Sequence, residues 1–275
     1  MSKKTVLITG ATSGIGKSTA YRLADSKMNL IICGRRGEVL DKIREDLSKL
    51  TSIITLCFDV SDNNQVKKAI ESLPNEFKQI DILINNAGNA HGLDKIQDGN
   101  VEDWDNMIDS NVKGFLYVAK AVLPRMVQNS SGHIINIGSL AGREVYEKGN
   151  VYCATKHAVN AISKGMRIDL NKHNIKVSEI NPGLVETNFS KVRFKGDAIA
   201  DTVYKGYKAL QAEDIAEIID ILIDAGCEIR GDNFIKKIDS RIKKANSKDW
   251  ETEYLAPVIS VKIVKDVKEA IQHIN

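Results

Sequence analysis

Short runs of β-branched and aliphatic residues alternate along this chain with longer stretches in which apolar residues return every three or four positions. Thr5–Ile8, Asn29–Cys33, Ile53–Phe58, Ile82–Ile84, Gly132–Ile137 and Lys176–Ile180 read as strands. Between them Ser18–Ala24, Val39–Leu50, Val66–Leu73, Val101–Gln128 and Val151–Asn171 carry helical period, as does Ala212–Leu222 further on. Strands separated by helix-length crossovers predict βαβ units, so the fold expected is α/β, a doubly wound parallel sheet. Right-handed crossovers then place ligands beyond the carboxyl ends of the strands. The pattern changes near Gly226. From there to Asp249 the chain is charged and short of apolar residues, and only Pro257–Lys265 again looks like a strand, followed by a helix-like Asp266–Ile274. The expected division is therefore a domain over 1–225 and an atypical segment over 226–275.

Composition narrows the classes. At 275 residues, with 43% hydrophobic and 27% charged residues, a large core can be buried and mostly disordered readings are excluded. A net charge of +3 leaves no electrostatic footprint for nucleic acid or an anionic membrane. No apolar run approaches the about 18 residues a membrane helix needs. The basic start, Lys3-Lys4 before Val6-Leu7-Ile8, is too short for a signal peptide and belongs to the domain. Cys33, Cys57, Cys153 and Cys227 are far apart and read as reduced, buried thiols of a cytosolic protein. His91, His133, His157, His173 and His273 form no metal-like set, so no metal is expected. His133 falls in a strand and reads as structural, whereas His91, after the fourth strand, could face a substrate.

The first strand runs into Thr9-Gly10-Ala11-Thr12-Ser13-Gly14-Ile15-Gly16, which opens the first helix. Glycines there allow a tight turn and let backbone approach a pyrophosphate that faces the helix N-terminus. That context predicts a dinucleotide site of Rossmann type, with Gly10, Thr12, Ser13, Gly14, Ile15 and Gly16 at the phosphates. The second strand then decides between cofactors. A free ribose 2′-hydroxyl is usually held by an acidic residue about 20 positions after the glycines, whereas a 2′-phosphate calls for arginine. Here the strand ends Cys33-Gly34-Arg35-Arg36, so NADP is expected, with Lys17 as a possible third cation. Asp59, before Val60 at the end of the third strand, is placed to accept a hydrogen bond from the adenine amine.

Tyr152 and Lys156 lie one helical turn apart, a spacing that Tyr204 and Lys208 share by chance. Context separates the pairs: Ser139 closes the strand Gly132–Ile137 at 152 − 139 = 13 positions before Tyr152. The three suit hydride transfer between an alcohol and a nicotinamide. Tyr152 exchanges the proton at the substrate oxygen, Lys156 lowers the phenol pKa by its charge, and Ser139 donates a hydrogen bond to the same oxygen.

With these motifs in order, residues 1 to about 225 resemble a short-chain dehydrogenase/reductase. The resemblance implies further site residues: Asn86, Ala87 and Gly88 beside the cofactor, and Asn111 as a fourth catalytic residue in a proton relay. It also implies that Lys156 and Tyr152 touch the cofactor, and that Pro182, Gly183, Val185 and Thr187 form a loop over the nicotinamide. A narrower likeness, through Val101-Glu102-Asp103-Trp104, Gly149-Asn150-Val151-Tyr152 and Phe189–Asp197, is to the NADP-dependent branch acting on 3-hydroxy acids, serine and allo-threonine. That branch implies a small hydroxy-acid or semialdehyde substrate contacting Ser139 and Tyr152, and a homotetramer. Arg193 is the candidate partner for the substrate carboxylate, with Arg143 second.

The branch closes its sheet with a seventh strand that this chain lacks in recognisable form. Instead, Gly226–Asp232 and Asp249–Val264 resemble an internal fragment of γ-glutamyl phosphate reductase without its catalytic cysteine motif, so Cys227 is no nucleophile candidate. Pro257–Lys265 is expected to dock as a substitute edge strand. Two rival readings are a catalytically silent NADP-binding or scaffold protein, and a short-chain reductase of another alcohol or carbonyl.

Overall fold

The computed structural model describes residues 3–196, 198–206, 208–224, 228–231, 243–244, 246 and 258–261. The first half alternates β1 (Thr5–Thr9), α1 (Gly14–Asp25), β2 (Asn29–Gly34), α2 (Gly37–Leu47), β3 (Ile53–Cys57), α3 (Asn63–Glu71) and β4 (Ile82–Asn85). A long helical passage follows: α4 (Val101–Ile108), a π-helical stretch (Asp109–Gly114) and α5 (Phe115–Gln128). Then come β5 (Gly132–Ile137), α6 (Asn150–Leu170) and β6 (Ile175–Ile180). All six strands pair in parallel in the order β3-β2-β1-β4-β5-β6.

This is the expected doubly wound α/β sheet, and its strands can be apolar almost throughout because helices cover both faces. Alternate strand residues Leu7, Ile31, Leu83 and Ile134 pack with Val66, Val118, Val122 and Met126 of α3 and α5 in one buried cluster. Asp62 caps α3 by accepting from the amides of Asn64 and Gln65, and Asn100 caps α4 by accepting from Glu102. The strand order reverses between β1 and β4, which opens a crevice at their carboxyl ends.

Two local features depart from the periodicity. Val101–Gln128 reads as one helix, but a π-helical stretch interrupts it around Asn111. A Cβ on Gly114 there would meet the Val60 backbone at 3.0 Å, so glycine lets the stretch lie against the end of β3. After β6, the short β7 (Val185–Glu186) and β8 (Leu210–Gln211) pair in parallel around α7 (Phe189–Arg193). Two-residue strands leave no periodicity to read.

The chain separates into two compact units, Met1–Asp220 and Ile221–Asn275, with the boundary inside α8 (Ala212–Asp224). In the second unit β9 (Glu228–Gly231) pairs with β10 (Lys243–Lys244) and β11 (Val258–Val261) in a separate parallel sheet. The expectation that Pro257–Lys265 docks as a substitute edge strand is therefore corrected. Its described residues, 258–261, spend their backbone pairing on β9. The helix expected at Asp266–Ile274 and Cys227 lie outside the described residues. Cys57 corrects another expectation, being exposed where a buried thiol was anticipated, while Cys33 and Cys153 are buried.

Candidate active site

A cleft of about 950 Å³ opens at the carboxyl ends of the six-stranded sheet. Every residue expected at the nucleotide lines it except Gly16 and Lys17, and Ser139, Tyr152, Lys156 and Arg193 line it, whereas Asn111, Arg143 and His91 do not.

The turn between β1 and α1 is built to bring backbone close. Gly10 has φ +67°, and a Cβ there would lie 3.0 Å from the Ala87 Cα. A Cβ on Gly16 would strike the Gly10 carbonyl oxygen at 2.5 Å, which explains its place behind the cleft wall as the glycine that lets α1 pack against β1. Asn86 Nδ2 donates to the Thr9 carbonyl at 2.8 Å, and Thr9 Oγ1 accepts from the amides of Asn86 and Ala87 at 2.8 and 2.9 Å. These bonds tie the loop after β4 onto the glycine turn, an organising role for Thr9 that its sequence position does not signal. Ser13, the N-cap of α1, makes no side-chain bond to the helix amides, so the N-terminal N–H groups point at the cleft uncapped.

Both arginines stand at this end. Arg36 Nη2 donates to Thr12 Oγ1 at 2.7 Å and Ser13 Oγ at 3.0 Å, over the glycine turn. Arg35 Nη1 lies 3.4 Å from Asp59 Oδ2. Burial alone would raise the Asp59 carboxyl, but hydrogen bonds from Ser61 and the Arg35 charge hold it below its ordinary value. Uncapped helix amides, a glycine cradle and two permanent cations form a donor set that fits a pyrophosphate and a ribose phosphate. Lys17 does not join them: it lies outside the cleft, its ammonium 5.7 Å from the Tyr21 ring centre.

At the other end Ser139 follows β5 and accepts from the Ala141 amide at 3.1 Å, starting the 3-10 turn Leu140–Gly142. Gly142 allows that turn to meet α6, since a Cβ would fall 2.6 Å from the Lys156 carbonyl oxygen. This contact sets Ser139 against the helix face that carries Tyr152 and Lys156, where the serine side chain opposes the rise of the phenol's pKa. Lys156 Nζ donates to the Ile137 carbonyl at 3.0 Å.

The electrostatics correct one expectation. Burial raises Tyr152 to about 12, against the opposing effects of Ser139 and Arg193, and burial lowers Lys156 to about 8. Burial outweighs any lowering by the neighbouring ammonium, so the phenol is raised rather than lowered as the spacing suggested. Near neutrality Tyr152 is a protonated acid and Lys156 is largely charged.

Asn111 is buried within the π-helical stretch, with its side chain fully engaged. Oδ1 accepts from the Asn89 amide at 2.8 Å and Ser110 Oγ at 3.0 Å, and Nδ2 donates to the Asn89 carbonyl at 2.8 Å and Thr155 Oγ1 at 3.1 Å. The amide locks the loop after β4 to α6 rather than facing the cleft.

The lid brings in Arg193. Its guanidinium lies 5.5 Å from the ring centres of both Tyr146 and Tyr152, donating to Tyr146 Oη at 2.7 Å and the Gly92 carbonyl at 3.1 Å. Phe189 packs on the Tyr152 ring at 5.7 Å, and Lys195 bridges to Asp103 at 2.9 Å. Tyr146 and Phe189 escaped the sequence reading because neither belongs to a periodic pattern; Tyr146 meets Arg193 across 47 positions. Arg143 is exposed and lies outside the cleft, which removes it as a second carboxylate partner. His91 borders a separate small void beside Asp103 and Trp104 rather than the cleft. His133 is in β5 with Nε2 2.9 Å from Ser178 Oγ.

Residues 4–198 match the short chain dehydrogenase family. An NADP-dependent 3-hydroxy acid dehydrogenase of Schizosaccharomyces pombe is 48% identical over 220 residues, 78% of this chain and 85% of that protein. Sulfoacetaldehyde reductase 2 of Chromohalobacter salexigens is 42% identical over 216 residues, 78% of this chain and 86% of that protein. The closed form of a serine dehydrogenase complexed with NADP+ superposes with a TM-score of 0.78 at 37% identity, covering 95% of this chain and 100% of the other. The family match ends at residue 198, and none of these relatives supports the expected γ-glutamyl phosphate reductase likeness of the last fifty residues. The chain belongs to the short-chain dehydrogenase family.

Proposed function

We propose that this protein is an NADP-dependent oxidoreductase that interconverts a small 3-hydroxy acid or hydroxy amino acid with its carbonyl form. The observation that carries the reading is the convergence, in one cleft, of a serine, a phenol, a buried lysine and a guanidinium over the phenol ring. The names of the relatives point the same way: one acts on 3-hydroxy acids, one is a sulfoacetaldehyde reductase, and the serine dehydrogenase carries NADP+. Each of these names describes a small substrate, as a single guanidinium at the lid would select if that substrate is anionic.

Bound NADPH supplies the hydride, and NADP+ accepts it in the reverse direction. In reduction, Ser139 and Tyr152 hold the carbonyl oxygen by hydrogen bonds, and Tyr152 donates its proton as negative charge develops there. An alkoxide is a far stronger base than a phenolate, so a phenol raised by burial still transfers the proton downhill. Lys156 keeps a positive charge below the phenol and contributes to holding the nicotinamide ribose. Asn111 positions the loop carrying Asn89 against α6. Gly10, Thr12, Ser13, Gly14 and Ile15 would hold the pyrophosphate, with Asn86, Ala87 and Gly88 lining the same cleft. Arg35 and Arg36 take the ribose phosphate, Asp59 and Val60 the adenine, and Pro182, Gly183, Val185 and Thr187 cover the nicotinamide.

Arg193 keeps three N–H groups beyond those given to Gly92 and Tyr146, enough to grip a carboxylate with two hydrogen bonds. Replacing it with leucine is expected to raise KM for malonic semialdehyde and serine by about 10- to 100-fold, the worth of one charge-assisted pair. A neutral aldehyde of similar size should change little. Equal effects on charged and neutral substrates would reject the carboxylate role. The free thiols of Cys33, Cys57 and Cys153 support a cytosolic location, and a homo-oligomer is the assembly this reading expects.

A further inference from the structure

Below the catalytic helix lies a second, buried charge that the reaction scheme does not use. Glu179, near the end of β6, has a side chain only 2% exposed. Its two oxygens accept from Asn160 Nδ2 at 2.9 and 3.1 Å, and Arg167 Nη2 lies 3.6 Å from Oε2. Asn160 stands one helical turn after Lys156 on the buried face of α6, and β6 pairs with β5, whose last residue Ile137 receives the Lys156 ammonium. A buried carboxylate without a catalytic task is costly, and this one is only partly compensated by a half-exposed arginine.

We propose that Glu179 is a positioning residue of the reaction, a buried counter-charge shared between Arg167 and Lys156 that keeps the Lys156 ammonium charged at the floor of the active site. This rests on the role proposed above for the Lys156 charge below the phenol.

Burial drives the Lys156 ammonium down, and Glu179 is the charge that opposes it. Among other charged groups on α6 and the elements packed against it, Asp103 of α4 pairs with Lys195 and Asp109 with Lys113 in the π-helical stretch, while Glu102 and Asp105 of α4, Lys176 of β6 and Lys164 and Asp169 of α6 are exposed. On α6 itself Tyr152 is neutral near pH 7, and Arg193 of the lid lies over its ring. Removing the Glu179 charge should therefore make Lys156 lose its proton at lower pH. Removing the Arg167 charge should do the reverse, because the carboxylate would no longer be shared.

The test is the pH dependence of NADPH-driven reduction of malonic semialdehyde by the full chain, wild type against Glu179→Gln and Arg167→Gln, from pH 6 to 10. NADPH affinity is measured alongside by fluorescence. The wild-type rate should fall as pH rises through the Lys156 midpoint near 8. With Glu179→Gln that limb should move to lower pH by about one unit, so the deficit grows from slight at pH 6 to about tenfold at pH 9. Arg167→Gln, at a surface residue, should move it to higher pH and keeps the test open should Glu179→Gln fold poorly. A purely structural role would scale the rate equally at every pH and give no opposite-signed shifts. Wild-type and Arg167→Gln limbs that superimpose, or a Glu179→Gln limb that does not move, would overturn the role of Glu179 alone. A wild-type profile with no fall up to pH 10 would contradict the Lys156 assignment as well.

Discussion

Replacing Tyr152 with phenylalanine is expected to reduce turnover by at least about a thousandfold, within the range a positioned proton donor contributes. The ring itself packs on Phe189 and under Arg193, and phenylalanine preserves both contacts. Only the hydroxyl is lost, with the proton it carries. NADPH affinity, measured by fluorescence titration, should therefore change by no more than a few-fold, since the glycine turn and the arginines are at the other end of the cleft. Substantial activity in this variant would reject Tyr152 as the proton donor. A matched loss of NADPH binding would instead point to a collapsed cleft, which the thermal unfolding midpoint would register.

Replacing Arg35 and Arg36 together with leucine should weaken NADPH far more than NADH. Each guanidinium bonded to a phosphate contributes about 1.5–3 kcal/mol, so the pair should cost about 10²- to 10⁴-fold in NADPH affinity. Two structural details set the comparison. Arg36 also holds Thr12 and Ser13 of the glycine turn, so its loss should weaken both cofactors somewhat. Arg35 also neutralises Asp59, so its loss leaves a carboxylate close to where the phosphate would lie, an added penalty for NADPH alone. The ratio of the two affinity losses, obtained by titration, is the informative quantity. A ratio near one would show that neither guanidinium meets a phosphate.

Much of the frame was legible because local pattern and global fold agree. The strand β1 is apolar at three consecutive core positions, Val6, Leu7 and Ile8, and is followed at once by the glycine turn, so strand, turn and helix could be placed together. Ser139, Tyr152 and Lys156 were readable because one strand end and one helical turn fix them relative to each other. What escaped depends on contacts between distant segments. The π-helical stretch around Asn111 spans only six residues between two helices, too few for periodicity to show it. Tyr146 and Phe189 enter the site through loops and a five-residue helix, where no repeat exists. The direction of the Tyr152 shift was misread because spacing reports a neighbouring charge but not burial, and here burial wins. Glu179 was invisible as a partner of Lys156 for a related reason: a single glutamate near the end of a strand carries no sign that the fold will close over it.

The most direct test of the account is the rate of NADPH oxidation by the purified full chain with malonic semialdehyde, compared with NADH under the same conditions. Steady consumption of one NADPH per aldehyde reduced, with NADH much slower, is the predicted result. NADPH that binds tightly yet is not consumed, with this aldehyde or with any other small carbonyl acid, would contradict it and leave a nucleotide-binding protein without the proposed chemistry.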